Sequence, residues 1–185
     1  MCCAAASDDR ANAARRRPGA AVTIQPPHPA PARRRRRPDP ADHLPTQPLR
    51  GAVWTALTSE AELAVWYPTR VRLDPQPGGR ISFSFPGAEP FHGVVLEIDP
   101  PTLLVFTTLD DTLRWQLAEA EGGCQLTFDN MVAHPEHAPY TAAGFDINLN
   151  QLATLLDHGA SRVQRREMPP PDELVDHYRA VLPSL

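Results

Sequence analysis

Not one of the 185 residues is lysine; all 18 strongly basic side chains are arginine. Cysteine is nearly as scarce, at three. Cys2 and Cys3 are adjacent, too close for an ordinary disulfide, and Cys124 stands alone, so no disulfide framework follows and a reducing cytoplasm is the expected setting. Long apolar runs are missing: no stretch reaches the roughly 18 residues of a membrane-crossing helix. The N-terminus also lacks the apolar core of a signal peptide, because SDDRANAARRR interrupts it. Nor is there a glycine-rich phosphate loop, since Gly78-Gly79 and Gly122-Gly123 both read as hairpin turns. These absences predict a soluble, cytoplasmic protein without membrane insertion.

What is present is unevenly distributed. Residues 1–45 hold nine Arg against four Asp, net +5; with the whole chain at −4, the remainder carries −9. Of the 22 prolines, nine fall in the first 50 residues and three stand together at Pro169 to Pro171. Residues 1–40, with RRR at Arg15 to Arg17 and RRRRR at Arg33 to Arg37, read as a disordered Arg/Ala/Pro-rich arm. It is either a tether to nucleic acid or another anionic surface, or an extension of little specific function from a mis-assigned translation start. The lack of lysine fits the second, a compositional bias. An acidic body is a poor surface for nucleic acid, and none is expected to bind there.

The body is organised around Ala142 to Gly159. At 3.6 residues per turn Phe145, Leu149, Leu152 and Leu156 share a face, flanked by Ala142, Ala153 and Leu155, with Asp146, Asn148, Asn150 and Gln151 opposite or alongside. That is one amphipathic helix of roughly 25 Å, with Gly159 as its C-cap. Ahead of it, Pro48 starts a short helix through Leu57, and Ser59 to Glu62 has capping-box form, opening a second that Pro68 closes. Six strands then follow with tight turns: Val71–Leu73, Arg80–Phe85, Phe91–Ile98, Leu103–Leu109, one around Leu113–Leu117, and Cys124–Phe128. Together they predict an antiparallel meander. Met131 to Tyr140 reads as a loop, and Pro171 to Leu182 as a short helix packing back on the body through Leu174, Val175, Tyr178, Val181 and Leu182.

Short helices, a meander and a long C-terminal helix are the order of the helix-grip fold. Ala52-Val53-Trp54-Thr55-Ala56-Leu57-Thr58, Glu62-Leu63 and Trp66-Tyr67 resemble the opening of the START-related SRPBCC superfamily. Within it they resemble the family of homologues of the activator of the heat-shock protein 90 ATPase. Gly78-Gly79-Arg80-Ile81, Gly93 to Glu97, Asp99-Pro100-Pro101 with Leu104 and Phe106, Gly122 to Leu126, and Gly144-Phe145 with Leu149 to Leu152 are similar to further motifs of that family, in order. Two positions depart: Cys124 stands for the usual Thr, and Phe145 for the usual Trp. The family's first strand is also missing from its usual place, where Pro38 to Leu44 opposes one. Either Val22 to Gln25 supplies it across a long loop, or it is ragged or absent.

The resemblance implies an α+β helix-grip domain over residues 41–160, a curved sheet of six or seven strands around the long helix, with residues 161–185 a linker and short helix. It also implies an apolar cavity between sheet and helix. Candidates to line it are Phe83, Phe85, Val95, Phe106, Trp115, Phe128, Phe145, Leu149 and Leu152, each of which a plain helix-on-sheet core would equally demand. Glu97, sharing a face with Gly93 and Val95, is a candidate polar anchor or general base. His134-Pro135-Glu136-His137 lacks helical i, i+4 spacing and a third ligand, so it reads as a solvated loop and no metal or cofactor is expected. Without a nucleophile, base and orienter in one place, no catalytic residue is assigned. The leading expectation is a binding protein for a small apolar or amphipathic ligand, monomeric or homodimeric. The alternatives are an enzyme of the polyketide cyclase or aromatase kind using the same cavity, and a co-chaperone-like interaction module implied by the family name.

Overall fold

Alternation of apolar and polar residues gives the sheet its two faces. In the computed structural model, which describes the backbone of residues 21–24 and, in full, residues 48–120, 123–164 and 169–182, seven strands form one antiparallel sheet. They are β1 (Ala21–Ile24), β2 (Arg70–Leu73), β3 (Arg80–Ser84), β4 (Phe91–Asp99), β5 (Leu103–Thr108), β6 (Asp111–Ala120) and β7 (Gly123–Met131). The order across the sheet is β1-β7-β6-β5-β4-β3-β2, so strands β2 to β7 form the expected meander. The first strand comes from the distant N-terminal segment, the first of the two alternatives above: Ala21 pairs with Met131 and Ile24 with Phe128. The rest of the expected arm, the turn at Glu121-Gly122, residues 165–168 of the linker, and residues 183–185 lie outside the described residues.

Four helices complete the chain: α1 (Arg50–Thr58), α2 (Glu60–Trp66), α3 (Ala138–His158) and α4 (Asp172–Val181). The long helix α3 begins four residues earlier than its apolar periodicity implies. Pro139 sits in its first turn, where a missing N–H costs nothing, and a short 3₁₀ turn at Pro135–His137 leads into it. At the other end Gly159, with φ of 78°, ends the helix as expected. The predicted capping box at Ser59 is not made by side chains. The Ser59 carbonyl accepts the Leu63 N–H at 2.9 Å, and no side-chain cap is present.

The concave face of the sheet presents Val71, Ile81, Phe83, Val95, Leu104, Phe106, Leu113, Trp115, Leu117 and Phe128, all 5% exposed or less. Against them α3 lays Ala142, Leu149 and Leu152. Each such side chain stabilises by about 1.5–3 kcal/mol relative to exposure. The pair α1 and α2 plugs one end of this interior. Trp66 is 1% exposed, and its ring N–H donates to the Ala56 carbonyl at 2.8 Å, tying the second short helix to the first. Helix α4 packs on α3 through Val175, with Tyr178 against the core. Gln151 is therefore buried rather than solvated: the face of α3 turned away from the sheet is covered as well.

One irregularity matters for the site. Val95 pairs with Phe106, but Glu97 pairs with Val105, so Leu96 is an extra residue and β4 carries a bulge. Just before it, Gly93 lies so close to β5 that an added Cβ would stand 1.7 Å from the Thr107 carbonyl oxygen.

Candidate ligand cavity

Near the N-terminal half of α3 the strands end and the interior opens into a cavity of about 500 Å³, a size usual for small-molecule sites. Tyr67, just past α2, and Phe91, the first residue of β4, form one wall. The turn between β5 and β6 contributes Thr108 to Asp111, and the connection before α3 contributes His134 and His137. Helix α3 supplies Tyr140, Thr141, Gly144, Phe145 and Asn148. This spacing of three and four places them on one helical face. The β5–β6 turn is tight because Leu109 adopts a φ of 52°, rare for a branched residue, and its side chain is left 70% exposed at the rim.

The aromatic walls are backed from behind. Phe91 stacks on Phe83 with ring centroids 4.9 Å apart, and Phe145 lies 4.5 Å from Phe128, which in turn lies 4.2 Å from Trp115. Phe91 and Phe145 are thus held by rings that belong to the closed core. Two buried polar side chains interrupt the apolar lining. Tyr67 is 8% exposed and burial pushes its phenol far above the usual value, so it stays neutral. Asn148 is 5% exposed and carries both donor and acceptor.

Charge gathers at the mouth. His134 Nε2 is 3.5 Å from Asp110 Oδ2 across the opening, and its Nδ1 is 3.8 Å from Glu136 Oε1. Asp111 is held by its neighbours: it accepts the Ala133 N–H at 3.0 Å and the Asn130 amide N–H at 3.3 Å. His134 and His137 therefore line a cavity mouth rather than a featureless loop. Among the described residues no group of His, Cys, Asp and Glu is placed to hold a metal.

Of the ten residues expected to line the cavity, Phe145 does so. Phe83, Val95, Phe106, Trp115, Phe128, Leu149 and Leu152 are 0–5% exposed and packed in the core, and Phe83, Phe106 and Trp115 border a void of only about 10 Å³. Phe85 lies beyond the end of β3, 40% exposed, with its ring 6.1 Å from Phe91. Glu97 is exposed, because the bulge at Leu96 reverses the parity of β4 and turns Glu97 to the side opposite Val95. Tyr67, Phe91, Tyr140 and Asn148 were missing from the expected set. Helical spacing with Phe145 would have found Thr141 and Asn148, and Tyr140 lies one turn before Gly144; nothing local marks Tyr67 or Phe91.

A second, polar crevice of about 400 Å³ lies between α3 and α4, lined by Asp146, Asn150, Gln151, Thr154, Arg162 and Leu174 among others. Asn150 donates to Asp146 Oδ1 at 3.2 Å and Thr154 to the Asn150 carbonyl at 2.8 Å. The buried Nε2 of Gln151 has no partner among the described residues.

Solved structures share this architecture. EF2215, a conserved protein of unknown function from Enterococcus faecalis, is 18% identical, with 72% of this chain and 78% of that one covered and a TM-score of 0.60. The AHSA1-like protein from Aeromonas hydrophila is 17% identical, with 80% and 100% covered and a TM-score of 0.57. CalU16 from Micromonospora echinospora is 19% identical, with 73% and 77% covered and a TM-score of 0.53. At these identities the likeness establishes the fold alone. No curated protein matches the chain by sequence. The family profile described as Activator of Hsp90 ATPase homolog 1-like protein matches residues 50–157. That match spans more than half of the chain, from the start of α1 almost to the end of α3, and on it the chain belongs to the Activator of Hsp90 ATPase homolog 1-like protein family.

Proposed function

We propose that this protein binds a small apolar or amphipathic molecule in the cavity between the N-terminal half of α3 and the β5–β6 turn. One observation carries the reading: a single open space of about 500 Å³ brings together aromatic walls held by the core and two buried polar side chains, Tyr67 and Asn148. Apolar walls supply affinity through desolvation, and a few fixed polar groups orient what is bound. Because the walls are already backed by packed rings, little side-chain entropy is lost on binding. The test is native mass spectrometry of the full chain purified from its own host, followed by organic extraction. A retained small molecule that Thr141→Trp, which fills the cavity, prevents from binding is the expected result. An empty protein that binds no apolar probe at this cavity would end the reading.

A second reading, an enzyme of the cyclase or aromatase kind, is favoured by the same Tyr67 and Asn148, since a reactive chain needs buried polar groups to steer it. Turnover of the extracted compound class would distinguish it. It requires Tyr67→Phe or Asn148→Ala to lower kcat by about tenfold or more while leaving KM nearly unchanged.

A further inference from the structure

The charges around the cavity restrict what it accepts, given that it is a ligand site as proposed above. From the described geometry we infer that the ligand is a flat aromatic compound carrying a cationic amine or quaternary ammonium group, held with its ring between Phe91 and Phe145 and its charge at the mouth beside Asp110. Three independent features converge on this.

The first is the sign of the mouth. Asp110 and Asp111 line the cavity, and Glu136 stands beside His134 at the same opening. The second is the missing counter-charge. The chain has no lysine, so arginine is its only strongly basic side chain, and among the described residues no arginine lines the cavity. A carboxylate, sulfate or phosphate on the ligand would meet no arginine there, only the imidazoles of His134 and His137, the first already flanked by Asp110 and Glu136, whereas a body of net charge −9 over residues 46–185 attracts positive ligands at long range. The third is the wall chemistry. Tyr67, Phe91, Tyr140 and Phe145 surround one space, and the faces of such rings attract a cation. Asp111 is engaged by the Ala133 and Asn130 N–H groups, while Asp110 is 75% exposed at its side chain and touches only His134 at 3.5 Å among the described ion pairs. Asp110 is therefore the carboxylate best placed to face an ammonium group.

The experiment uses the full chain and three naphthalenes substituted at the same ring carbon: anionic naphthaleneacetate, neutral naphthaleneacetamide and cationic naphthylmethyl-trimethylammonium. Their affinities are measured by calorimetry. The cation should bind about tenfold or more tighter than the anion, with the neutral compound between. The margin should shrink as ionic strength rises towards about 0.5 M. Asp110→Asn should cut the cation's advantage at least about threefold without weakening the neutral probe. Thr141→Trp should abolish binding of all three while melting as the parent does; if it does not fold, Tyr140→Ala must weaken all three instead. Equal affinity for anion and cation, or a cation advantage unmoved by Asp110→Asn, overturns the inference and leaves the cavity a ligand site. Failure of every probe to bind at the cavity overturns the reading on which it rests.

Discussion

The two ends of the space beneath α3 are built differently. Towards α1 and α2, side chains from the middles of strands meet those of the helices and leave a void of about 10 Å³. Towards the N-terminus of α3, the walls come from a turn, a helix approach and strand ends, and about 500 Å³ stays open. Strand interiors alternate side chains at fixed spacing and so fill a core; chain reversals do not, and they leave a gap. The same aromatic residue type thus fills a core at one end and lines an open cavity at the other.

The largest expected effect lies at the closed end. Trp66→Ala removes a fully buried ring and its bond to the Ala56 carbonyl, and should cost about 3–5 kcal/mol in denaturant unfolding. A loss below about 1 kcal/mol would mean that the two ends do not differ in packing. Next is Gly93→Ala, which forces a Cβ against the Thr107 carbonyl and should cost about 3 kcal/mol by parting β4 from β5; unchanged stability would show that the sheet yields there.

Tyr67 belongs to both ends, and alkaline titration measures which one holds it. Its folded-state pKa is raised by burial, so above the ordinary tyrosine value of 10.0 the unfolded chain loses a proton that the folded chain keeps. Stability is fully present below about pH 10 and is lost as pH rises, by up to about 1.4 kcal/mol per pH unit from this group. With no lysine titrating in that range, Tyr67→Phe should visibly flatten the alkaline limb. An identical limb in the variant would mean that the phenol reaches water through the cavity. The smallest stability effect is expected at Tyr140, 46% exposed at the mouth. Tyr140→Ala should change stability by less than about 0.5 kcal/mol yet weaken probe binding several-fold. A stability loss as large as that of Trp66→Ala would erase the distinction between the ends.

The architecture was legible in the sequence because its signals are periodic. Ile81 and Phe83 alternate with serines, Leu113, Trp115 and Leu117 alternate across β6, and Phe145, Leu149 and Leu152 recur at helical spacing. The site was legible only where it borrows that periodicity, as at Phe145. Glu97 was misplaced because a single extra residue, Leu96, reverses strand parity, and nothing in VVLEID announces a bulge. Asn148 and Gln151 look like a solvated stripe, yet one faces the cavity and the other the α4 side, and burial by a distant segment leaves no local mark. Tyr67 and Phe91 are far apart in sequence and come to line one cavity through the sheet's curl, which no window of residues contains.

The pairing of Ala21–Ile24 with β7 has a consequence for handling the protein. The strand arrives from across more than twenty intervening residues and forms one edge of the sheet, covering β7. A chain trimmed to residues 41–185 would leave the main-chain N–H and C=O groups of Phe128 to Met131 without that partner, an open seam on which a second molecule can zip. Self-association of a trimmed protein would then report the cut rather than the native assembly.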